Sequence, residues 1–205
     1  MCNLYRMTKS PDEVARWFST VNELGSVNIG SEVYPGYPGI VIAGGELRQM
    51  TWGFPLTLKS KKTGKPLKPK PVNNTRSEKL DSFMWKYSFE ERRCLIPLTA
   101  WAEAEGARGA KTRTWLSLPD AELFTVGGIW RDSDEFGLCY SMVMTDAADN
   151  ISEVHNRMPV ILAPDEREIW THGASEDARE LCRPCSGDFE IAQTDDAWHR
   201  HTGET

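Results

Sequence analysis

The residue best suited to covalent chemistry is Cys2, which directly follows the initiator methionine. Removal of that methionine would leave an amine of pKa ~8 beside a thiol of pKa ~8.5. Both groups are reactive near neutral pH. An amine and a thiol on adjacent carbons condense with an aldehyde, and the thiol then closes a five-membered thiazolidine ring. Taken alone, a cysteine at this position is more often a buried thiol or part of a frayed terminus.

A second candidate is the run Asn74-Thr75-Arg76-Ser77-Glu78. Asn74 and Arg76 precede a predicted helix start at Ser77, where free backbone N–H groups favour anions. The competing interpretation is ordinary capping by Ser77, with Arg76 on the surface.

The carboxylate of Glu103 is a third candidate. Strand alternation places Trp101 and Glu103 on one face, and burial of a carboxylate raises its pKa toward a range useful for proton transfer. The alternative is an edge-strand glutamate that faces water. Glu105, one alternation further along, is the competing carboxylate on this face.

His155 and Arg157 lie just before the apolar run Val160-Ile161-Leu162. A histidine with a pKa near 6.5 can act as acid or base at neutral pH, and Arg157 could hold a phosphate. A single histidine at the start of a strand is more often structural.

The elements that must position these residues predict an α+β fold. Ser10 and Pro11 begin a helix predicted over residues 11–22, and Ser77 begins one that continues through Tyr87. From Cys94 onward, alternating apolar segments separated by turn residues predict strands. We expect one domain over residues 1–194, with a mostly antiparallel, barrel-like sheet and flanking helices, and a flexible polar tail over 195–205.

Composition restricts the classes of function. The 205 residues are 40% hydrophobic and 26% charged, as in globular proteins, and no apolar run is long enough to cross a membrane. The N-terminus lacks the apolar core of a signal peptide, so we expect a cytoplasmic protein that is associated with the nucleoid when it acts on DNA, and a monomer.

The net charge of −6 argues against a protein coated in basic charge, but the charge is uneven. Six lysines between Lys59 and Lys70 carry +6 with no acid among them, so the rest of the chain carries −12. We interpret this segment as a mobile basic loop.

Metal binding is a weak alternative. Cys182 and Cys185 have a usable spacing, and His172, His199 and His201 could add ligands, but there is no second such cysteine pair. The five cysteines are expected to be free thiols, and no metal or other cofactor is predicted.

Together these segments resemble the SRAP family (SOS-response-associated peptidase, the abasic-site processing proteins). The resemblance covers most of the chain and rests on five motifs in order. These are Met1-Cys2, Trp52-Gly53-Phe54-Pro55, Asn74 to Glu78, Arg93 to Pro97 with the downstream Glu103, and His155 to Pro159.

The resemblance implies a role in DNA damage. Cys2 would cross-link to the ring-opened aldehyde of an abasic site in single-stranded DNA and shield the lesion. Asn74 would hold the Cys2 terminus and the open sugar, Glu103 would move protons during imine formation and Met1 removal, and His155 would assist ring opening and closing. Arg76 and Arg157 would grip flanking phosphates, while Trp52 and Phe54 offer flat faces for base stacking.

The chain departs from the typical family pattern at Asn3 and Leu4, where typical members have Gly-Arg, so the phosphate contact that the resemblance implies for that arginine is not expected here. Autocatalytic removal of Met1 and lyase-type strand cleavage stay open. Two other classes also stay open. One is a Cys-His peptidase or hydrolase using Cys2, His155 and Asn74, and the other is a non-covalent single-stranded DNA-binding module.

Overall fold

The computed structural model describes residues 2–22, 24 and 29–198. Its strands in chain order are β1 Tyr5–Arg6, β2 Val21–Asn22, β3 Glu32–Val33, β4 Pro38–Ala43, β5 Glu46–Trp52, β6 Phe54–Leu56, β7 Lys70–Val72, β8 Asn74–Arg76, β9 Arg93–Leu98, β10 Ala100–Glu105, β11 Thr112–Ser117, β12 Phe124–Arg131, β13 Cys139–Asp146, β14 Arg157–Pro159, β15 Ile161–Leu162 and β16 Glu190–Ala197. The helices are α1 Pro11–Trp17, α2 Lys86–Glu91, α3 Glu166–His172 and α4 Ser175–Glu180, with 3₁₀ turns at Ser77–Lys79 and Asp149–Ile151. The predicted α+β class is confirmed.

Five strands close into a barrel. The antiparallel order β13-β12-β9-β4-β5 returns on itself because the end of β5 pairs in parallel with the start of β13, Thr51 beside Cys139 and Trp52 beside Tyr140. Closure removes the exposed sheet edge and surrounds an apolar core. The barrel-like sheet predicted from the alternating segments is therefore present.

A second antiparallel sheet, in the order β16-β11-β10-β1-β3, brings the N-terminal strand beside β10. Tyr5 lies opposite Trp101, and the Ala102 N–H donates to the Leu4 carbonyl over 2.9 Å. Strand β16 pairs with β11 through Ala197. The sheet thus extends past the predicted start of the tail at residue 195, and residues 199–205 of that predicted tail lie outside the described residues.

The first helix begins where the sequence predicts, because Ser10 and Glu13 form a reciprocal capping box. The predicted end at residue 22 is wrong, since α1 stops at Trp17. Val21 then starts a short strand parallel to β5, and tertiary pairing overrides the helical periodicity of the apolar residues.

The predicted helix from Ser77 to Tyr87 is also not continuous. A 3₁₀ turn at Ser77–Lys79 is followed by turns and then by α2, and Phe83 between them is fully exposed. The apolar spacing that predicted one helix therefore does not mark one buried face.

The basic segment, whose composition indicates a loop, instead contains paired strands. Its ends pair as β6 and β7, and the pairing continues outward through Leu67 N–H to Leu58 O and Ser60 N–H to Lys65 O, each 2.8 Å. Residues 54–72 therefore form a β-hairpin, which we call the lysine hairpin.

No helix in the described part of the chain is long and apolar enough to cross a membrane.

Candidate functional site

Cys2 lies in the interior, at the end of the N-terminal segment that runs beside β10. Its side chain is fully buried, and the thiol donates to the Leu4 carbonyl over 3.4 Å. Burial raises the pKa of the Cys2 thiol well above its usual range, and the nearby Glu103 carboxyl raises it further. The thiol is therefore neutral at physiological pH.

Two amides hold the Cys2 backbone. Asn74 and Asn73 both donate from Nδ2 to the Cys2 carbonyl oxygen, over 2.6 and 2.9 Å, and Asn73 also donates to Asn3 Oδ1 over 3.0 Å. Asn74 is positioned because β8 pairs in parallel with β13, where Asn74 lies beside Met142. The Asn74 Oδ1 is buried and accepts no hydrogen bond from the described residues.

Glu103 lies on β10 between β1 and β11, so the edge-strand alternative is wrong. The residue is 3% exposed, and burial raises the pKa of its carboxyl from the usual 4.5 to about 7. At neutral pH both protonation states of Glu103 are populated, as a general acid and base requires. Glu105 instead accepts hydrogen bonds from Thr114 and Gln193 on the neighbouring strands β11 and β16.

His155 precedes β14 and approaches Glu103 from the other sheet, with 3.9 Å between Nε2 and Glu103 Oε2. The Arg157 backbone N–H donates to His155 Nδ1 over 2.9 Å, a shorter distance than the 3.2 Å from Nδ1 to the Arg157 carbonyl, and this favours the neutral tautomer with its proton on Nε2, toward Glu103. Burial lowers the pKa of His155, which favours that neutral form. The structure thus brings Cys2, Asn74, Glu103 and His155 together.

The two arginines differ. Arg76 is exposed at the end of β8. Arg157 is held by carboxylates: its guanidinium donates to both oxygens of Glu78, over 2.9 and 2.7 Å, and lies 3.4 Å from Asp146. A phosphate at Arg157 would have to compete with these two acids.

The prediction that Trp52 and Phe54 stack on bases is wrong. Both side chains are fully buried. Trp52 Nε1 donates to the Asn73 carbonyl over 3.0 Å, and Phe54 packs 5.0 Å from Trp85. Barrel closure at β5 and β13 encloses both rings, and Trp52 supports the chain that carries Asn73.

Two residues near the site, Asn73 and Lys111, are not predicted from the sequence. Asn73 could have been found from its repeated amide beside Asn74. Lys111 donates from Nζ to the Ala104 carbonyl over 3.4 Å, and after the larger effect of burial its charge lowers the pKa of Glu103. Only the pairing of β10 with β11 brings Lys111 here, so no local signal marks it.

Among the described residues, no group of three or more His, Cys, Asp and Glu side chains is placed so that it could hold a metal ion. Cys182 and Cys185 are partly buried free thiols. His199 and His201, which the zinc alternative requires, lie outside the described residues.

Comparison with protein families matches residues 1–197 to SOS response associated peptidase (SRAP). The chain belongs to the SRAP family. Membership indicates a part in processing DNA lesions and an interaction with DNA. Among curated proteins the comparison finds no match.

Solved structures share this SRAP fold. A protein from Bordetella bronchiseptica superimposes with a TM-score of 0.76 at 22% identity, over 94% of this chain and 99% of its own. One from Bacteroides thetaiotaomicron gives 0.75 at 18%, over 94% and 91%. A phage-related protein from Bordetella bronchiseptica gives 0.67 at 18%, over 94% of each chain. At these identities the likeness concerns the fold alone.

Proposed function

We propose that this protein forms a covalent thiazolidine cross-link between Cys2 and the aldehyde of an abasic site in single-stranded DNA, and thereby shields the lesion. The observation that carries the proposal is the contact of the Cys2 carbonyl with Asn74 beside a buried Glu103 whose pKa is about 7. An aldehyde needs an amine, a thiol and a group that both gives and takes protons. The site offers all three once Met1 is removed.

The first step belongs to the amine. Hydrolysis of the Met1–Cys2 peptide bond frees the Cys2 nitrogen, which attacks the aldehyde carbon and forms a C–N bond. The hydroxyl of the resulting carbinolamine leaves as water, with its second proton donated by protonated Glu103, and a protonated imine remains. A pKa of about 7 keeps a large fraction of Glu103 protonated for this step.

The second step belongs to the thiol. The Cys2 sulfur attacks the imine carbon, a C–S bond forms, and the electron pair of the C=N bond returns to nitrogen. Glu103, now ionised, accepts the thiol proton and returns to its protonated form, while the ring nitrogen keeps the proton that the protonated imine carried. The sum is aldehyde and aminothiol giving thiazolidine and water, with no oxidant or reductant.

Two further side chains support these steps. The buried Asn74 Oδ1 is an acceptor, which suits the freed Cys2 amine or a hydroxyl of the open sugar. Neutral His155, with its proton on Nε2, can donate to the sugar oxygen during ring opening and recover that proton during closure. Exposed Arg76 is available to a flanking phosphate.

A thiol peptidase mechanism is less well supported. Such enzymes use a thiolate paired with a protonated imidazole. Here burial raises the pKa of Cys2 and lowers that of His155, so both shift away from the ion pair. Asn74 contacts the Cys2 carbonyl, and His155 Nδ1 is bonded to the Arg157 backbone instead.

The experiment mixes the protein with single-stranded DNA carrying one abasic site and resolves the products on a denaturing gel. We expect a heat-stable adduct whose mass lacks Met1, lost in Cys2→Ala and retained in Cys185→Ala, a free and more exposed cysteine. A normal adduct yield from Cys2→Ala would refute the proposal. If the wild type binds the DNA non-covalently but forms no adduct, the non-covalent binding module is favoured.

Chemical blocking of the freed Cys2 amine separates the remaining alternative. Thiazolidine formation needs the amine and stops, whereas a thiol peptidase needs only the sulfur and continues.

A further inference from the structure

The lysine hairpin, residues 54–72, is the strongest charged feature outside the site. It carries Lys59, Lys61, Lys62, Lys65, Lys68 and Lys70, and all six are exposed. In the described part of the chain none of these ammonium groups is within ion-pair distance of a carboxylate. In a protein whose remaining charge is −12, six lysines without acidic partners concentrate attraction for a polyanion at one place.

The hairpin has a defined backbone. Beyond β6 and β7, the bridge between Lys59 and Pro66 and the Gly64 N–H bond to Ser60 O extend the pairing to the turn. Gly64 has φ +69°, and a Cβ there would meet nothing within 4 Å, so the turn projects into open space. Its lysines are therefore displayed on a folded arm.

The base of the arm is joined to the site. Gly53 donates from its N–H to the Tyr140 carbonyl over 2.7 Å, and a Cβ at Gly53 would lie 2.4 Å from Pro71 Cβ, so the two strands approach closely there. Strand β7 leads directly to Asn73 and Asn74, which hold Cys2. The direction of the arm is thus fixed relative to the reacting residue.

The reach of the arm exceeds one nucleotide. From Leu56 to Lys61 five residues at about 3.3 Å each extend roughly 17 Å. A DNA strand in a duplex has one phosphate per about 3.4 Å along the helix axis, so an arm of this length covers at most roughly five phosphates.

We infer that the lysine hairpin is a phosphate-binding arm that contacts the DNA strand flanking the lesion, several nucleotides from Cys2. This inference rests on the proposed function for its choice of polyanion. The lysines supply affinity without reading sequence, because phosphates are alike at every nucleotide.

The test neutralises the tip with Lys61→Gln, Lys62→Gln and Lys65→Gln. The control, Arg16→Gln, Lys86→Gln and Arg183→Gln, removes the same charge from exposed positions outside the arm. Both are made in a Cys2→Ala background, and reversible binding to single-stranded DNA without an abasic site is measured by fluorescence anisotropy across salt concentrations.

Loss of three phosphate contacts should reduce the slope of log K against log salt by about 2, since each contributes about 0.7 on single strands. Over a fourfold rise in salt, the wild type should then lose about 20-fold more affinity than the tip variant. The control should keep the wild-type slope. Equal slopes for the tip variant and the wild type would overturn the inference.

Two comparisons locate the bound strand. In the same Cys2→Ala background, an abasic oligonucleotide shortened to the nucleotides around its lesion should abolish the difference between tip variant and wild type, and persistence of the full difference would contradict a flanking contact. Adding a complementary strand to one flank or the other distinguishes a single-stranded from a duplex partner, because three duplex contacts change the slope by about 2.7. If cross-linking fails but the salt slopes of wild type and variants differ as expected, the proposed cross-linking chemistry is refuted and the inference about the arm stands.

Discussion

The raised pKa of Glu103 makes a quantitative prediction about stability. In the unfolded chain this carboxyl titrates near 4.5, and in the folded protein near 7. Between these values the folded state holds a proton that the unfolded state has released, so stability falls as pH rises through this interval. The interval of about 2.5 units corresponds to about 3 kcal/mol, fully lost above pH 7 and fully recovered below pH 4.5.

Glu103→Gln removes this dependence, because the amide has nearly the same shape and no ionised form. We expect the variant to be more stable than the wild type by about 3 kcal/mol at pH 8, or about 6–12 °C in Tm, and equally stable near pH 4.5. Urea unfolding at a series of pH values measures the difference. Glu105→Gln, two residues along the same strand, is the matched control.

The same substitution should slow cross-linking by about 10²–10⁴-fold, the usual contribution of a general acid or base. A Glu103→Gln protein that is both more stable and less active fits a carboxylate kept buried for chemistry. A stability difference independent of pH, or one equal to that of Glu105→Gln, would refute the argument that desolvation controls this carboxyl.

Two further substitutions test the geometry. Asn74→Ala should slow cross-linking about tenfold or more, whereas Asn73→Ala should have a smaller effect because Asn74 still holds the Cys2 carbonyl. Initial rates of adduct formation on denaturing gels compare the two variants. Equal losses of rate would contradict the special role of Asn74. Gly39→Ala should lower the free energy of unfolding by about 1–3 kcal/mol, since its Cβ would lie 2.1 and 2.3 Å from two buried tyrosine hydroxyls. Gly30→Ala, whose Cβ meets only one backbone oxygen at 3.6 Å, is the control in thermal unfolding, and equal shifts would contradict the packing argument.

Local patterns predict much of the fold. The alternating segments after Cys94 correspond to β9 through β15, and the capping box predicts the start of α1, because these signals depend on neighbouring residues. The end of α1 depends on the pairing of Val21–Asn22 with β5, and the Ser77 segment directly follows β8, which is held by its pairing with β13. Closure of the barrel by two residue pairs of β5 and β13 has no sequence signature at all.

The same distinction between local and long-range determinants applies to the site. The residue types at Cys2, Asn74, Glu103 and His155 indicate their chemistry, and the fold brings these four together. The stacking assigned to Trp52 fails because an aromatic ring looks the same in sequence whether it lies in a core or on a surface. Likewise, the sequence around Arg157 does not reveal that Glu78 and Asp146 are its carboxylate partners.

The burial of Cys2 determines the order of the proposed chemistry. A thiol whose pKa is raised by an apolar site is a poor first nucleophile, since the thiolate is the reactive form. The freed amine attacks as a neutral base, so burial does not suppress its reactive form. Its attack creates an imine carbon beside the sulfur. Glu103 loses a proton in that step and becomes the base that the thiol then requires. In the proposed reaction a single buried carboxyl with a pKa near neutrality would therefore serve both half-reactions, and the neutral thiol would be protected from other aldehydes and oxidants until the imine forms.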